Sequence, residues 1–268
     1  MPPMEEDDDD DGLPEFRDAK MIKDDGKDAF HPLSRYIDHT LLKPEATPSD
    51  ITVLCREAHE HGFYSVCVSS VFAAHARQVL DSLETKARRN SHRVKVCCVV
   101  GFPSGATPSE VKAFEANHCL AAGAEEIDMV IPVGYMKAGD HSYVLRDISA
   151  VVLVCKKYNA VCKVILETAL LTETEIETAS HLAISAGADF LKTSTGFGAR
   201  GASLHDVQIM GRIAHPRNVQ VKASGGIRTV EDAQHMIQAG ATRLGSSSGI
   251  AIVHPAVVLP PTEYNMAL

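Results

Sequence analysis

The stretch Asp189-Phe190-Leu191-Lys192-Thr193-Ser194-Thr195-Gly196-Phe197-Gly198 decides how this chain is read. A short apolar run ends in a lysine, and small hydroxyl residues and glycines follow at once, so an amine sits where a strand gives way to a backbone-rich loop. A lone lysine at a strand end is ordinarily a solvated gatekeeping charge. Here the plan recurs. Val219-Gln220-Val221-Lys222-Ala223-Ser224-Gly225-Gly226 repeats strand, lysine, small residue, hydroxyl and glycine, and Ala160 to Glu167 places Lys163 inside another apolar run. Three lysines on three strands converge only where the strands are neighbours.

The surrounding chain supplies such neighbours. From residue 35 onward, short apolar runs alternate with amphipathic ones: strands are expected at 35–42, 64–68, 94–100, 126–131, 161–166, 190–192, 219–222 and 242–245. Helices follow, among them Pro48 to His61 capped by Thr47, and Glu173 to Ala186. Gly62, Gly123, Gly187 and Gly240 each stand between a helix and the next strand, where a left-handed cap is needed. Continuous apolar strands joined by crossover helices imply parallel pairing with both faces covered. Eight such units in about 220 residues predict a single-domain α/β fold, a (β/α)8 TIM barrel. In such a barrel the site lies at the strand C-termini, where Asp38, Cys67, Asp128, Lys163, Lys192, Lys222 and Gly245 fall.

Convergence gives one lysine a reaction. Bringing a free amine from a pKa near 10.4 to about 7 takes roughly 4.6 kcal/mol. A second ammonium about 4 Å away, at an effective dielectric near 20, supplies about 4 kcal/mol of it. A lysine so tuned attacks a carbonyl to form a Schiff base. Asp128 lies in the apolar run Glu126 to Ile131, where a charge is either paired with a barrel lysine or used in proton transfer. Two glycine-rich turns, Gly225-Gly226-Ile227-Arg228 and Gly245-Ser246-Ser247-Ser248-Gly249, precede helices and suit a phosphate. The GxGxxG match at Gly196 to Gly201 is a decoy for a dinucleotide site, because the next strand ends in Lys222 and not in an acidic residue.

Composition narrows the rest. Of the formal charge of −9, seven negative charges lie in the unbroken run Glu5 to Asp11. The body is nearly neutral, which argues against a nucleic-acid surface, and residues 1–30 are expected to form a disordered acidic tail. The barrel is expected over 31–255, with a flexible tail at 256–268. No apolar stretch reaches a membrane span, and the acidic N-terminus is unlike a signal peptide, so a cytoplasmic protein is expected. The seven cysteines are odd in number and form no CxxC, and the thirteen histidines show no zinc spacing, so neither disulfide nor metal nor cofactor is expected.

Six motifs, in order, resemble the deoxyribose-phosphate aldolase family: Ile37 to Leu42, Val99 to Gly105, Glu126 to Val130, Lys163 to Thr168, Phe190 to Gly196 and Val221 to Thr229. The resemblance covers about 35–250. It implies a metal-independent class I aldolase on a (β/α)8 barrel, interconverting 2-deoxy-D-ribose 5-phosphate with acetaldehyde and glyceraldehyde 3-phosphate. By position, Lys192 would form the Schiff base, Lys222 would depress its pKa, and Asp128 would relay protons with Lys163 and a water. Asp38, Thr40, Cys67 and Thr195 would lie against the substrate, and Gly196, Gly225, Gly226, Arg228, Gly245, Ser247 and Ser248 would hold its phosphate. Two positions depart from the family: Phe197 stands where many members carry a lysine, and Tyr264, in place of a terminal tyrosine, is followed by four residues. A second reading, an aldolase-like scaffold that binds a protein partner, is disfavoured because buried like charges destabilise a mere scaffold. The sequence leaves a homodimer or other homo-oligomer open.

Overall fold

The computed structural model describes residues 21–23, 30–84 and 93–254. The acidic run and Tyr264 lie outside the described residues. Eight parallel strands close into a barrel: β1 (Ile37–Leu41), β2 (Ser65–Val68), β3 (Lys95–Val100), β4 (Glu126–Val130), β5 (Val161–Ile165), β6 (Phe190–Lys192), β7 (Gln220–Ser224) and β8 (Arg243–Ser246). Each pairs with its successor in sequence, and β8 closes on β1. The expected (β/α)8 architecture is therefore the observed one.

The helices outside the barrel are α1 (Pro48–Glu60), α2 (Ala73–Glu84), α3 (Ser109–Ala121), α4 (Val133–Lys137), α5 (His141–Lys157), α6 (Glu173–Ala186), α7 (Leu204–Ala214), α8 (Val230–Gln238) and α9 (Gly249–Val253). Local chemistry fixes their starts. Thr47, Thr172 and Thr229 each cap a helix in a reciprocal box with the carboxylate three residues on. Gly187 ends α6 at φ 90°, and Gly62, Gly123 and Gly240 have positive φ at the other expected breaks. These left-handed positions send the chain back toward the barrel at little steric cost.

Three features go beyond the expectation. The one-turn helix α4 is an addition, placed where Pro132 cannot continue a strand ladder. The loop after it ends at Asp140, whose side chain accepts from the Tyr143 amide and starts α5 at His141, two residues before the Tyr143 at which the sequence pattern of that helix begins. Met21–Lys23 also pairs with Phe30–Pro32 in a short antiparallel ribbon.

Apolar residues on the outer strand faces pack with the helices into one continuous core, in which Ile51, Leu80, Ile127, Ile148 and Val164 are fully buried. At about 1.5–3 kcal/mol for each large side chain, this layer is what holds the barrel closed. The interior is different: Cys67, Cys97 and Val99 form a small apolar cluster apart from it, and a group of buried charges lies beside that cluster. Among the described residues no helix is long and apolar enough to cross a membrane.

Candidate active site

Strand register brings the charges together. Lys192 on β6 is the direct partner of Lys222 on β7, and Asp128 on β4 is the partner of Lys163 on β5. Asp128 Oδ2 accepts from Lys192 Nζ and from Lys222 Nζ, each at 2.8 Å, and Oδ1 accepts from Lys163 Nζ at 2.6 Å. Lys163 also pairs with Glu126 at 2.7 Å, and Lys222 with Asp38. Arg243 on β8 reaches Asp38 at 3.0 Å and Glu126 at 3.1 Å, while Ser65 donates to Asp38 at 2.7 Å.

Every one of these ionic groups is buried. With all ionised, the buried Lys163, Lys192, Lys222 and Arg243 outnumber Asp38, Glu126 and Asp128 by one, and the half-buried Lys95 adds a further cation 3.5 Å from Glu126. Burial opposes ionisation of Asp128, but Lys163, Lys192 and Lys222 outweigh it and hold the carboxyl well below its ordinary range. Burial likewise opposes the Lys222 ammonium, and Asp128 and Asp38 outweigh it and push its pKa up. The same balance, with Asp128, Cys97 and Glu126 as the opposing charges, raises Lys163. Lys163 and Lys222 are fixed cations.

Of the three strand lysines, Lys192 is the one that lines a cavity of about 270 Å³ at the C-terminal mouth of the barrel. Thr40, Thr195, Gly196, Phe197, Gly225, Gly226, Arg228, Gly245 and Ser247 share that wall. Ser248, beside it, caps α9, and its amide donates to Ser246 Oγ at 2.9 Å. Asp38, Asp128, Lys163, Lys222 and Cys67 do not line the cavity; they form the layer behind Lys192. Asp38 in particular, expected to touch substrate directly, is engaged by Lys222, Arg243 and Ser65.

The mouth is built from glycines for a steric reason. A methyl on Gly201 would come 2.1 Å from the Gly225 carbonyl oxygen, and one on Gly225 would come 2.9 Å from the Gly201 Cα. The loops after β6 and β7 thus pack backbone on backbone, and Gly225 and Gly226 take φ of 84° and 83°. Asp232 at the start of α8 accepts from the Arg228 and Thr229 amides, which ties the end of the glycine turn to the first turn of that helix. The Arg228 side chain is exposed at the rim, and Phe197 meets Phe102 edge to face at 5.2 Å.

Three residues escaped the sequence reading as site residues. Glu126 stands two positions before Asp128, hence on the same face of β4, and Arg243 is a charge inside a buried strand. Either could have been found by the argument applied to Asp128. Glu167 stands two residues beyond β5 in a left-handed conformation, φ 56°, and its buried carboxylate accepts from the Thr195 hydroxyl and, at 3.3 Å, from the Thr195 amide. A non-glycine residue held there costs about 1–3 kcal/mol, a cost such sites bear where the loop geometry matters.

Fold and centre define a class: (β/α)8 barrels with buried lysines and carboxylates at the strand C-termini. The chain belongs to the DeoC/LacD family of aldolases, whose family model matches residues 33–254. It is 53% identical over 224 residues to a deoxyribose-phosphate aldolase of Thermococcus gammatolerans, covering 84% of this chain and 96% of that protein. A deoxyribose-phosphate aldolase of Halalkalibacterium halodurans is 50% identical over 222 residues, 83% of this chain and 95% of that one. Among solved structures, the tetrameric deoxyribose phosphate aldolase of Aeropyrum pernix matches with a TM-score of 0.75 at 37% identity, over 82% of this chain and 89% of the other.

Proposed function

We propose that this chain is an aldolase that reversibly cleaves 2-deoxy-D-ribose 5-phosphate to acetaldehyde and D-glyceraldehyde 3-phosphate through a Schiff base on Lys192. The observation that carries the proposal is the position of Lys192, on the cavity wall and in contact with the carboxylate that also binds Lys222. An attacking amine must be neutral, and release of one proton lowers the positive excess of the buried cluster.

Lys192 Nζ adds to the aldehyde carbon of the open-chain sugar, and loss of water gives an iminium. The C3 hydroxyl then loses its proton, the C2–C3 bond breaks, and its electron pair flows to the iminium nitrogen to leave an enamine. Glyceraldehyde 3-phosphate departs. Protonation of the enamine carbon and hydrolysis release acetaldehyde and restore the amine. The iminium is the electron sink, so the chemistry needs no metal or other cofactor.

In this scheme ionised Asp128 takes up the hydroxyl proton through a water, with Lys163 holding its other oxygen. Lys222 keeps positive charge beside the nucleophile. Thr40 and Thr195 meet substrate hydroxyls, Cys67 lies in the layer behind the pocket, and Asp38 holds Lys222 in place. The backbone cradle of Gly196, Gly225, Gly226 and Gly245, with Ser247, Ser248 and Arg228, takes the phosphate. Assembly of a homo-oligomer is in keeping with Val71, Phe114 and Leu153, apolar and exposed on neighbouring elements.

Borohydride reduction in the presence of deoxyribose 5-phosphate, followed by intact mass and peptide mapping, tests the scheme. A substrate-dependent adduct on Lys192 is expected, absent in Lys192→Ala. Folded wild-type protein that yields no adduct with excess substrate would overturn it.

A further inference from the structure

Behind Lys192 lies a group of donor atoms for which the aldol scheme gives no metal-binding role. Cys67 on β2 and Cys97 on β3 are direct register partners, and Asp128 pairs with Val99, two residues beyond Cys97 and on the same strand face. Cys67 Sγ, Cys97 Sγ and a carboxylate oxygen of Asp128 consequently lie within 4.8 Å of one another, all buried. Each comes from a different strand, which is why no spacing along the chain betrays them. The other five cysteines belong to the core outside the barrel or to its helices.

The geometry suits a thiophilic ion. Zinc binds thiolate at about 2.3 Å and carboxylate oxygen at about 2.0–2.2 Å in a tetrahedron, which separates ligand atoms by about 3.3–3.8 Å. Closing from within 4.8 Å to that spacing asks for side-chain shifts of about 1 Å. The Cys97 thiol already points its proton at Asp128 Oδ1, 3.1 Å away, so removing that proton frees one lone pair on the sulfur and one on the oxygen. Lys163 Nζ, 3.2 Å from the same sulfur, is placed to donate to the resulting thiolate. Entry of an ion requires Lys192, which lines the cavity and is bonded to the other oxygen of Asp128, to swing aside.

We infer that Cys67, Cys97 and Asp128 form an inhibitory site for a soft divalent cation, zinc or cadmium, inside the aldolase centre. The inhibitory part rests on the Schiff-base role proposed for Lys192; the binding part does not. Binding is an exchange without redox change: one divalent cation enters, the two thiols release two protons to solvent, and the net charge of the centre is unchanged. A water completes the tetrahedron. The Asp128 oxygen is then taken from its lysines, and the acceptor for the hydroxyl proton is lost. Magnesium and calcium, which take hard oxygen donors, do not substitute.

Cadmium titration of the whole EDTA-treated protein reads the site directly. One equivalent should produce the ultraviolet cadmium–thiolate charge-transfer band, and native mass spectrometry with zinc should show a gain of one zinc and a loss of two protons. Cleavage of deoxyribose 5-phosphate should be lost in step with the band and return with EDTA, while magnesium in excess does neither. In Cys67→Ser and in Cys97→Ser, affinity should fall by more than about 100-fold, beyond what the loss of an outer-sphere partner gives. Cys55→Ala, in the outer core, should keep the full band. The mass measurement on wild type stands even where a serine variant does not fold.

No band at one equivalent, or a band that survives in both serine variants, would overturn the site. A band with undiminished turnover would overturn its inhibitory character. Failure of the Schiff-base reading is separate, since it appears as a missing borohydride adduct in EDTA-treated protein and leaves the band intact.

Discussion

Lys192 and Lys222 contact the same atom: Oδ2 of Asp128 lies 2.8 Å from each ammonium nitrogen. One carboxylate oxygen therefore sets both the separation of the two lysines and the share of negative charge each receives. Lys222 has a second carboxylate in Asp38, whereas Lys192 has Asp128 and the open cavity. That asymmetry, more than proximity alone, distinguishes the proposed nucleophile from the fixed cation.

Asp128→Asn removes the negative charge from three buried ammoniums at once. Breaking a buried pair costs about 3–5 kcal/mol, so unfolding in urea should shift to markedly lower midpoint. Turnover should fall as well, because the proton acceptor is gone. A variant with wild-type turnover would remove Asp128 from the reaction.

Glu167 is expected to act through the loop and not on the reacting carbon. Glu167→Gln weakens a charge-assisted contact to Thr195, and KM for the phosphorylated sugar should rise about tenfold, equivalent to about 1.4 kcal/mol, with the borohydride adduct on Lys192 retained. Glu167→Gly, which removes both the contact and the backbone strain, should raise KM further without loss of stability. An unchanged KM in both would show that the Thr195 loop needs no such tie.

Gly225→Ala places a methyl 2.9 Å from the Gly201 backbone at a residue with φ 84°. The two loops must part, so affinity for deoxyribose 5-phosphate should drop sharply while reaction with unphosphorylated deoxyribose is affected little. Equal losses with both substrates would argue against a phosphate cradle at this place.

Stability should depend on His39 between neutral and mildly acidic pH. Its ring is buried, which lowers its pKa against the opposing pull of Glu57 at 2.7 Å; His61 lowers it further, and a hydrogen bond with the Ser246 backbone raises it. Because the folded pKa lies below the unfolded value of about 6.5, the unfolded chain takes the proton first. The contribution is present above that value and is lost as pH falls through the window below it. Denaturation midpoints at pH 7.5 and 5.5 should differ more in wild type than in His39→Gln, which keeps a donor for Glu57 but does not titrate.

Lys112 and Asp147 form a fully buried pair at 2.7 Å that ties α3 to α5, with Lys112 also donating to the Val130 carbonyl at 2.8 Å. Burial drives both toward neutrality, lowering Lys112 and raising Asp147. Lys112→Met should cost about 3–5 kcal/mol, and Lys112→Met with Asp147→Leu should recover most of it. A double variant no better than the single one would show that the Val130 contact, not the charge pair, is what matters.

The order of elements was legible because it is written locally. Thr47, Thr172 and Thr229 with their downstream carboxylates start helices, Gly62, Gly123, Gly187 and Gly240 end them, and apolar runs between these marks have nowhere to go but a covered parallel sheet. The lysines and Asp128 were legible for the related reason that a charge inside such a run demands a partner. What the sequence could not determine is who the partner is: that Asp128 serves three lysines, that Asp38 is spent on Lys222 and Arg243, that Glu167 braces Thr195, and that Cys67, Cys97 and Asp128 meet. Those relations depend on register around the closed barrel, which sets side chains from different strands side by side. Closure is a property of all eight strands together, and only the tertiary structure decides it.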